Sequence, residues 1–429
     1  MILVRGLALI GRTWQRVNIA ISDVGYIVKI WRSDYTNRYM LSRIEAIYNA
    51  KECLILPGLI DIHVHFREPG EEHKEDFSTG TKAALASGVV VIGDMPNNKL
   101  PVDNLERFCE KLQIATRSSY TDFFLYLMLT NPNRISETIR KFGSVPVKVY
   151  LYDRRTLALL KKELPKEAIY VFHAEHPDMV SDHREAHDAY ELDKIRPIEA
   201  ELRGVDIALR FAREGGYKVH ITHVSSSEAI RKILDARGSG VRVTFDVTPH
   251  HIIFFLEKVD PKSPLYKVLP PIRRREINTG LLRMLAKGLV DVIATDHAPH
   301  SPDEKCGDFS EAPPGISCVQ YLLPLLYSIS KRMHIDFRML IKMVTENPAR
   351  IFMIPRRGRI KVGFLADLVI FDHRRKWVID PDFALSKAKL TPYNSLVVRG
   401  EVVATFLRGR LVYEEGNFLK RIGNYVFAK

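Results

Sequence analysis

The chain has 429 residues, 46% of them hydrophobic, with 64 Lys and Arg against 51 Asp and Glu for a formal net charge of +13. That length suits one large α/β domain plus a smaller module, and the scatter of the basic residues in short groups such as Arg273-Arg274-Arg275 and Arg374-Arg375-Lys376 argues against a nucleic-acid partner. Cys53, Cys109, Cys306 and Cys318 show no CxxC spacing, the apolar start Met1-Ile2-Leu3-Val4 is broken by Arg5 and Arg12, and no stretch approaches the roughly 20 apolar residues of a membrane span; a zinc ribbon, a disulfide framework, a signal peptide and a membrane partner are not expected, and a cytoplasmic protein is.

In chain order, residues 1–53 alternate apolar and polar positions with short turns, the pattern of small antiparallel strands. From Leu54 the texture changes. Eight apolar runs read as strands: Leu54 to Val64, Val89–Asp94, Asp122–Leu127, Val145–Tyr150, Ile169–His173, Val219–His223, Val241–Asp246 and Val290–Asp296. Between most of them lie amphipathic helix patterns, including Lys74–Ser87, Leu105–Thr116, Ile198–Arg213 and Ser227–Arg237, with Gly88, Gly215-Gly216 and Gly238 as stops. Eight βα units over residues 54–350 predict a TIM-type (β/α)8 barrel. Beyond residue 350 the strand-and-turn texture of the N-terminal segment returns, so residues 351–429 and 1–53 are expected to share a small β-sandwich.

Catalytic groups of such barrels collect at the C-terminal ends of the strands. Those ends carry His63 and His65, Asp94 and Asn97, Lys148, His173, His223, His250 or His251, and Asp296. Side chains two apart on a strand share a face, so His63 and His65 project together while Ile62 and Val64 face away. His63, His65, His173 and His223 are candidate nitrogen ligands and Asp296 a candidate carboxylate, more than one tetrahedral shell needs, which points to two metal ions. Lys148 is flanked by Val147 and Val149, where an unpaired ammonium is costly. Either it snorkels to the barrel mouth, or it has reacted with carbon dioxide to give a carbamate able to bridge two metals. His183 and His187 stand at i, i+4, but without the glutamate placement of a zinc protease, and read as a solvated helix face. No GxGxxG or P-loop is present.

The segments Asp61-Ile62-His63-Val64-His65-Phe66-Arg67-Glu68-Pro69-Gly70, Asp94-Met95-Pro96-Asn97-Asn98, Val147-Lys148-Val149-Tyr150, His173-Ala174-Glu175, His220-Ile221-Thr222-His223-Val224 and Ala294-Thr295-Asp296-His297-Ala298-Pro299-His300, in this order, resemble the amidohydrolase superfamily, most closely its dihydroorotase branch. Gly363-Phe364-Leu365-Ala366-Asp367-Leu368-Val369 resembles the sandwich-domain signature of the same family. By that resemblance His63, His65, Lys148 and Asp296 would hold one zinc, and a carbamylated Lys148, His173 and His223 the other, with a bridging hydroxide. The resemblance further implies that Arg67, Asn97 and His300 hold the substrate's carboxylate and ring, that Pro314 and Gly315 turn their backbone to it, and that Asp296 shuttles a proton. The bland alternative for Arg67 is a surface salt bridge to Glu68, Glu71 or Glu72.

The implied reaction is the reversible closure of N-carbamoyl-L-aspartate to dihydroorotate in pyrimidine synthesis. Asp153-Arg154-Arg155-Thr156 stands where the family carries a mobile loop. One position departs from the pattern: Leu269 occupies a place where the family usually has asparagine or arginine, and leucine donates no hydrogen bond. That leaves open an allantoinase or hydantoinase acting on another ring. A non-catalytic scaffold on the same fold is the rival from another class. A homo-oligomer and an association with aspartate transcarbamoylase are compatible with the family.

Overall fold

The computed structural model describes residues 1–35, 38–143 and 145–427. The alternating N-terminal segment forms β1 (Ile2–Ile10), β2 (Thr13–Ile21), β3 (Ile27–Arg32) and β4 (Ala46–Pro57). The apolar run from Leu54, read as one strand, is divided at Gly58. A side chain there would strike Val90 and the Cβ of Asp367, so glycine lets the chain pass between the two sheets. Leu54 to Pro57 stays in β4 and pairs with the C-terminal segment.

The barrel begins after that glycine. Its strands are β5 (Leu59–Val64), β6 (Val89–Asp94), β7 (Asp122–Leu125), β8 (Leu127–Met128), β9 (Val147–Tyr150), β10 (Ile169–His173), β11 (Lys218–Ile221), β12 (Val243–Val247) and β13 (Val292–Ile293). All neighbouring pairs are parallel. β7 and β8 are one course of chain interrupted at Tyr126, so the nine segments make eight barrel positions. β5 and β6 are buried along their whole length, as expected of parallel strands covered on both faces. Closure comes where Val64 bridges His297 and His65 N–H donates to His297 O at 2.8 Å.

The last barrel strand is shorter than the predicted Val290–Asp296. Thr295 N–H turns to Asp61 Oδ1 at 3.1 Å instead of to a neighbouring strand, and that side-chain acceptor releases the following residues from the ladder. The helices also shift by a residue or a few. Asp76 accepts from Thr79 N–H and starts its helix at Phe77 rather than Lys74. The helix Ile198–Gly215 ends on Gly216 in the left-handed conformation, whereas Gly238 lies in the last turn of Ser227–Gly238 and the chain reverses at Gly240, φ +85°. The stretch around His183 is a three-residue 3-10 turn, His183–Glu185, not a helix face, because the Asp182 side chain accepts from Arg184 N–H and closes a tight turn.

The chain ends in β14 (Leu368–Val378), β15 (Val397–Leu407), β16 (Arg410–Glu414) and β17 (Asn417–Phe418). With the first four strands they form one eight-stranded sheet, order β17-β16-β15-β14-β4-β1-β2-β3. Its core mixes both ends of the chain, with Val4, Ile19 and Ile55 against Leu368, Ile370 and Phe406. The larger core fills the barrel and the space under its helices. Among the described residues no helix is long and apolar enough to cross a membrane.

Candidate active site

β5 delivers His63 and His65 to the mouth of the barrel, and the chain beyond β13 returns Asp296 beside them. His65 Nε2 lies 3.2 Å from His63 Nε2 and 3.0 Å from Asp296 Oδ1, and His63 Nε2 is 3.2 Å from the same oxygen. Asn97 Oδ1 lies 2.6 Å from His65 Nδ1 and so accepts its N–H, and Thr222 Oγ1 lies 2.5 Å from His63 Nδ1; with the proton on each Nδ1, both Nε2 lone pairs turn inward. Two bare imidazole nitrogens facing each other and a carboxylate oxygen repel unless a cation lies among them, so the donor set fits a divalent metal.

His173 and His223 face each other a short way off, ring centroids 4.5 Å apart, and His63 and His223 are 5.5 Å apart by the same measure. His173 Nε2 sits 2.5 Å from Glu175 Oε2. Glu175 is fixed in turn by Arg196, through Nε at 3.1 Å and Nη2 at 2.6 Å. Burial pushes that carboxyl up, but Arg196 and His173 outweigh it and hold it well below the usual range. Burial also holds all four imidazoles below the ordinary histidine range, furthest for His63 and His223, and a neutral imidazole is the ligating form. Lys148 is 1% exposed and its Nζ has no hydrogen-bond partner. Burial brings its amine down to about 8, against the pull of Asp296 and Asp246. The side chain does not snorkel to solvent.

Arg67, Asn97, Leu269, Pro314 and Gly315 line the same cavity. Arg67 makes none of the surface salt bridges open to it: Glu71 pairs with Lys74 at 2.6 Å, Glu68 accepts from Phe77 N–H and Glu72 from Gly70 N–H. Its Nε donates to Pro299 O at 3.2 Å and its Nη2 lies 3.1 Å from His300 Nε2. His300 backs Arg67 and also reaches Pro314 O at 3.1 Å. Burial and the neighbouring Arg67 keep its imidazole neutral, far below the usual range. Leu269 offers the cavity only carbon atoms.

Three of these residues hold left-handed backbone, Arg67 at φ 65°, His223 at 41° and Asp296 at 49°, a conformation that costs side-chain-bearing residues about 1 kcal/mol or more. Buried carboxylates hold the chain there. Asp94 accepts Phe66 N–H at 2.7 Å and is itself paired with Lys111, and Asp246 accepts His223 N–H at 2.7 Å. Tyr150 and Tyr152 complete the wall, and neither is among the residues the sequence singled out for the site. For Tyr150 the signal was available: it is two residues beyond Lys148 on β9, hence on the same face. His250 and His251 are buried outside the cavity, with His251 Nε2–H donating to Pro270 O at 3.1 Å and its Nδ1 2.7 Å from Thr248 Oγ1.

A barrel with a histidine pair at the end of its first strand, histidines at the ends of the fifth and sixth and an aspartate after the last is the frame of a hydrolase, and the amidohydrolase family model matches residues 54–412; the chain belongs to that family. The dihydroorotase of Listeria monocytogenes serovar 1/2a is 35% identical to it over 385 residues, 86% of this chain and 89% of that one. The dihydroorotase of Brevibacillus brevis is 33% identical over 377 residues, 84% and 88% of the two chains. Among solved structures, the L-hydantoinase (dihydropyrimidinase) from Arthrobacter aurescens superposes with a TM-score of 0.90 at 23% identity, covering 99% of each chain. The dihydropyrimidinase from Brevibacillus agri NCHU1002 gives 0.85 at 23%, covering 100% of this chain and 99% of that one. These two likenesses bear on the fold, a TIM-type barrel with a β-sandwich domain.

Proposed function

We propose that the chain is a zinc-dependent dihydroorotase that interconverts N-carbamoyl-L-aspartate and dihydroorotate. The observation that carries the reading is Arg67, a guanidinium in the wall of the site whose neighbouring carboxylates are all engaged elsewhere. An uncompensated planar cation in a cavity matches a carboxylate on the substrate, because the two pair bidentately. A ring without a carboxylate would leave it unanswered. The names of the relatives point the same way.

In this reading His63, His65 and Asp296 would hold one ion and His173 and His223 a second, with carbamylated Lys148 as a further ligand. The carbamate forms when the neutral amine attacks carbon dioxide and releases a proton, which turns a donor without a partner into two acceptor oxygens. The bound ions supply Lewis acidity at the ring carbonyl and a nucleophile at neutral pH. The chain's own residues do the rest. Arg67 takes the carboxylate, and Asn97, whose Oδ1 is committed to His65, turns its N–H2 to the ring. Pro314 and Gly315 close the cavity with backbone. Asp296 contacts the histidines through Oδ1 alone, so Oδ2 is available to accept the proton given up by water and pass it to the departing ring nitrogen.

The test is interconversion of the two compounds by metal-loaded protein. Asp296→Asn is expected to lower turnover by about 100-fold or more; a variant as fast as the native chain, or a native chain with no turnover above background, overturns the reading. Leu269 favours a second reading, a hydantoinase or allantoinase whose ring needs no polar group at that place. A panel of hydantoin, allantoin and dihydrouracil beside dihydroorotate separates the two.

A further inference from the structure

Tyr150 lines the cavity together with Arg67, Lys148 and Leu269. Its hydroxyl is shut away from solvent and has no hydrogen-bond partner in the protein. A hydroxyl is a donor with two lone pairs, and folded proteins rarely leave one buried and unmet. Most such groups find a carbonyl or a water in the core; this one belongs to a side chain that lines the cavity where a ligand is expected. Strand alternation places it there, since Lys148 and Tyr150 share a face of β9 and Lys148 Nζ lies 5.3 Å from the Tyr150 ring. Tyr150 is the next residue outward on that face, nearer the mouth where Arg67 stands at the end of β5. Lys148 does not bond to the hydroxyl, and neither does Arg67, whose contacts are Pro299 O and His300.

We propose that the Tyr150 hydroxyl is a specificity-determining donor to the substrate's carboxylate, a second anchor beside Arg67 that supplies the hydrogen bond Leu269 cannot. The assignment rests on the dihydroorotase reading and sharpens it. Arg67 offers one flat edge to a carboxylate; the Tyr150 O–H would meet a lone pair that the guanidinium leaves over. The chain can then carry an apolar residue at 269 and still select a carboxylated ring.

The experiment compares the metal-loaded native chain, Tyr150→Phe, Leu269→Asn and the double variant, with kcat and KM measured on dihydroorotate and metal content on each. An anchor that grips bound substrate and transition state alike predicts that Tyr150→Phe raises KM roughly 10- to 100-fold with kcat within about twofold. Leu269→Asn in the Tyr150→Phe background should recover most of that KM, a rescue that a purely structural role for Tyr150 would not give. Unchanged KM in Tyr150→Phe overturns the assignment. So does a fall in kcat at constant KM, which would put the hydroxyl on the scissile carbonyl, and so does a loss that Leu269→Asn leaves uncorrected. Absence of dihydroorotate turnover by the native chain is a different failure, that of the dihydroorotase reading itself.

Discussion

Lys148 concentrates the proposed chemistry of this site in one side chain. A primary amine enclosed in the barrel with no partner is an expensive arrangement, and its lowered pKa of about 8 leaves a larger neutral share near pH 7 than an exposed lysine keeps. Both features suit an amine that ends as a carbamate. Lys148→Ala should therefore lose most of the metal, read by elemental analysis, together with activity. A short carboxylic acid such as acetate, which brings two oxygens into the space left by the side chain, should restore a part of both. Full metal content and full activity in the alanine variant would show that Lys148 is a bystander. The sequence exposed the oddity of a lysine between two valines. It did not reveal whether the amine reached solvent, because that depends on how far Lys148 stands from the barrel mouth.

Among the elements, the loop from Pro299 to Gly315 gives the cavity Pro314 and Gly315 and backs Arg67 with His300. It is pinned by two buried lysines that bond to carbonyls. Lys267 Nζ donates to Phe309 O at 2.6 Å and Ser310 O at 2.8 Å, and Lys305 Nζ to Pro264 O at 3.0 Å. Burial, followed by the charge of Lys267, lowers the Lys305 amine to about 7, and burial lowers Lys267 to about 8. In the unfolded chain both titrate near 10.4. Between about pH 7 and 10 the unfolded chain therefore holds more protons than the folded one, so their contribution to stability rises with pH across that window and is lowest below it. For Lys305 the gain from pH 7 to pH 9 is up to about 2 kcal/mol. Urea unfolding at the two pH values should show a smaller gain for Lys305→Met than for the native chain. Equal gains would mean that the amine titrates normally. Nothing in Ser301-Pro302-Asp303-Glu304-Lys305 marks the lysine as buried; the carbonyls that receive it come from about 40 residues away.

For the molecule as a whole, the joint between barrel and sandwich rests on Asp122 at the base of β7, on the face away from the chemistry. Its carboxylate receives Arg357 and Arg408, while Arg357 also pairs with Asp367 at 2.5 Å and Arg408 N–H donates to Asp367 at 2.8 Å. Asn424 N–H adds a further bond to Asp122 at 2.7 Å. Charges at the N-terminal face of such a barrel serve stability rather than catalysis. Asp122→Ala leaves the buried Arg357 short of a partner and should lower the unfolding free energy by about 3–5 kcal/mol, measured by denaturant titration with metal present in both proteins. A loss under about 1 kcal/mol would show that Asp367 alone satisfies the arginine.

The sequence by itself determined which donors exist and roughly where they stand. Period-two alternation paired His63 with His65, the recurrence of βα units implied a closed barrel, and closure brings strand ends together whatever their separation in the chain. It also carried the family likeness. Only the tertiary structure decided what those residues do with their free valences. That Arg67 spurns three adjacent glutamates, that Lys148 and Tyr150 end without partners and that Asp296 turns back through left-handed backbone all follow from contacts between segments as much as 230 residues apart. Those contacts exist because the barrel closes Val64 onto His297, and local spacing holds no record of that distance.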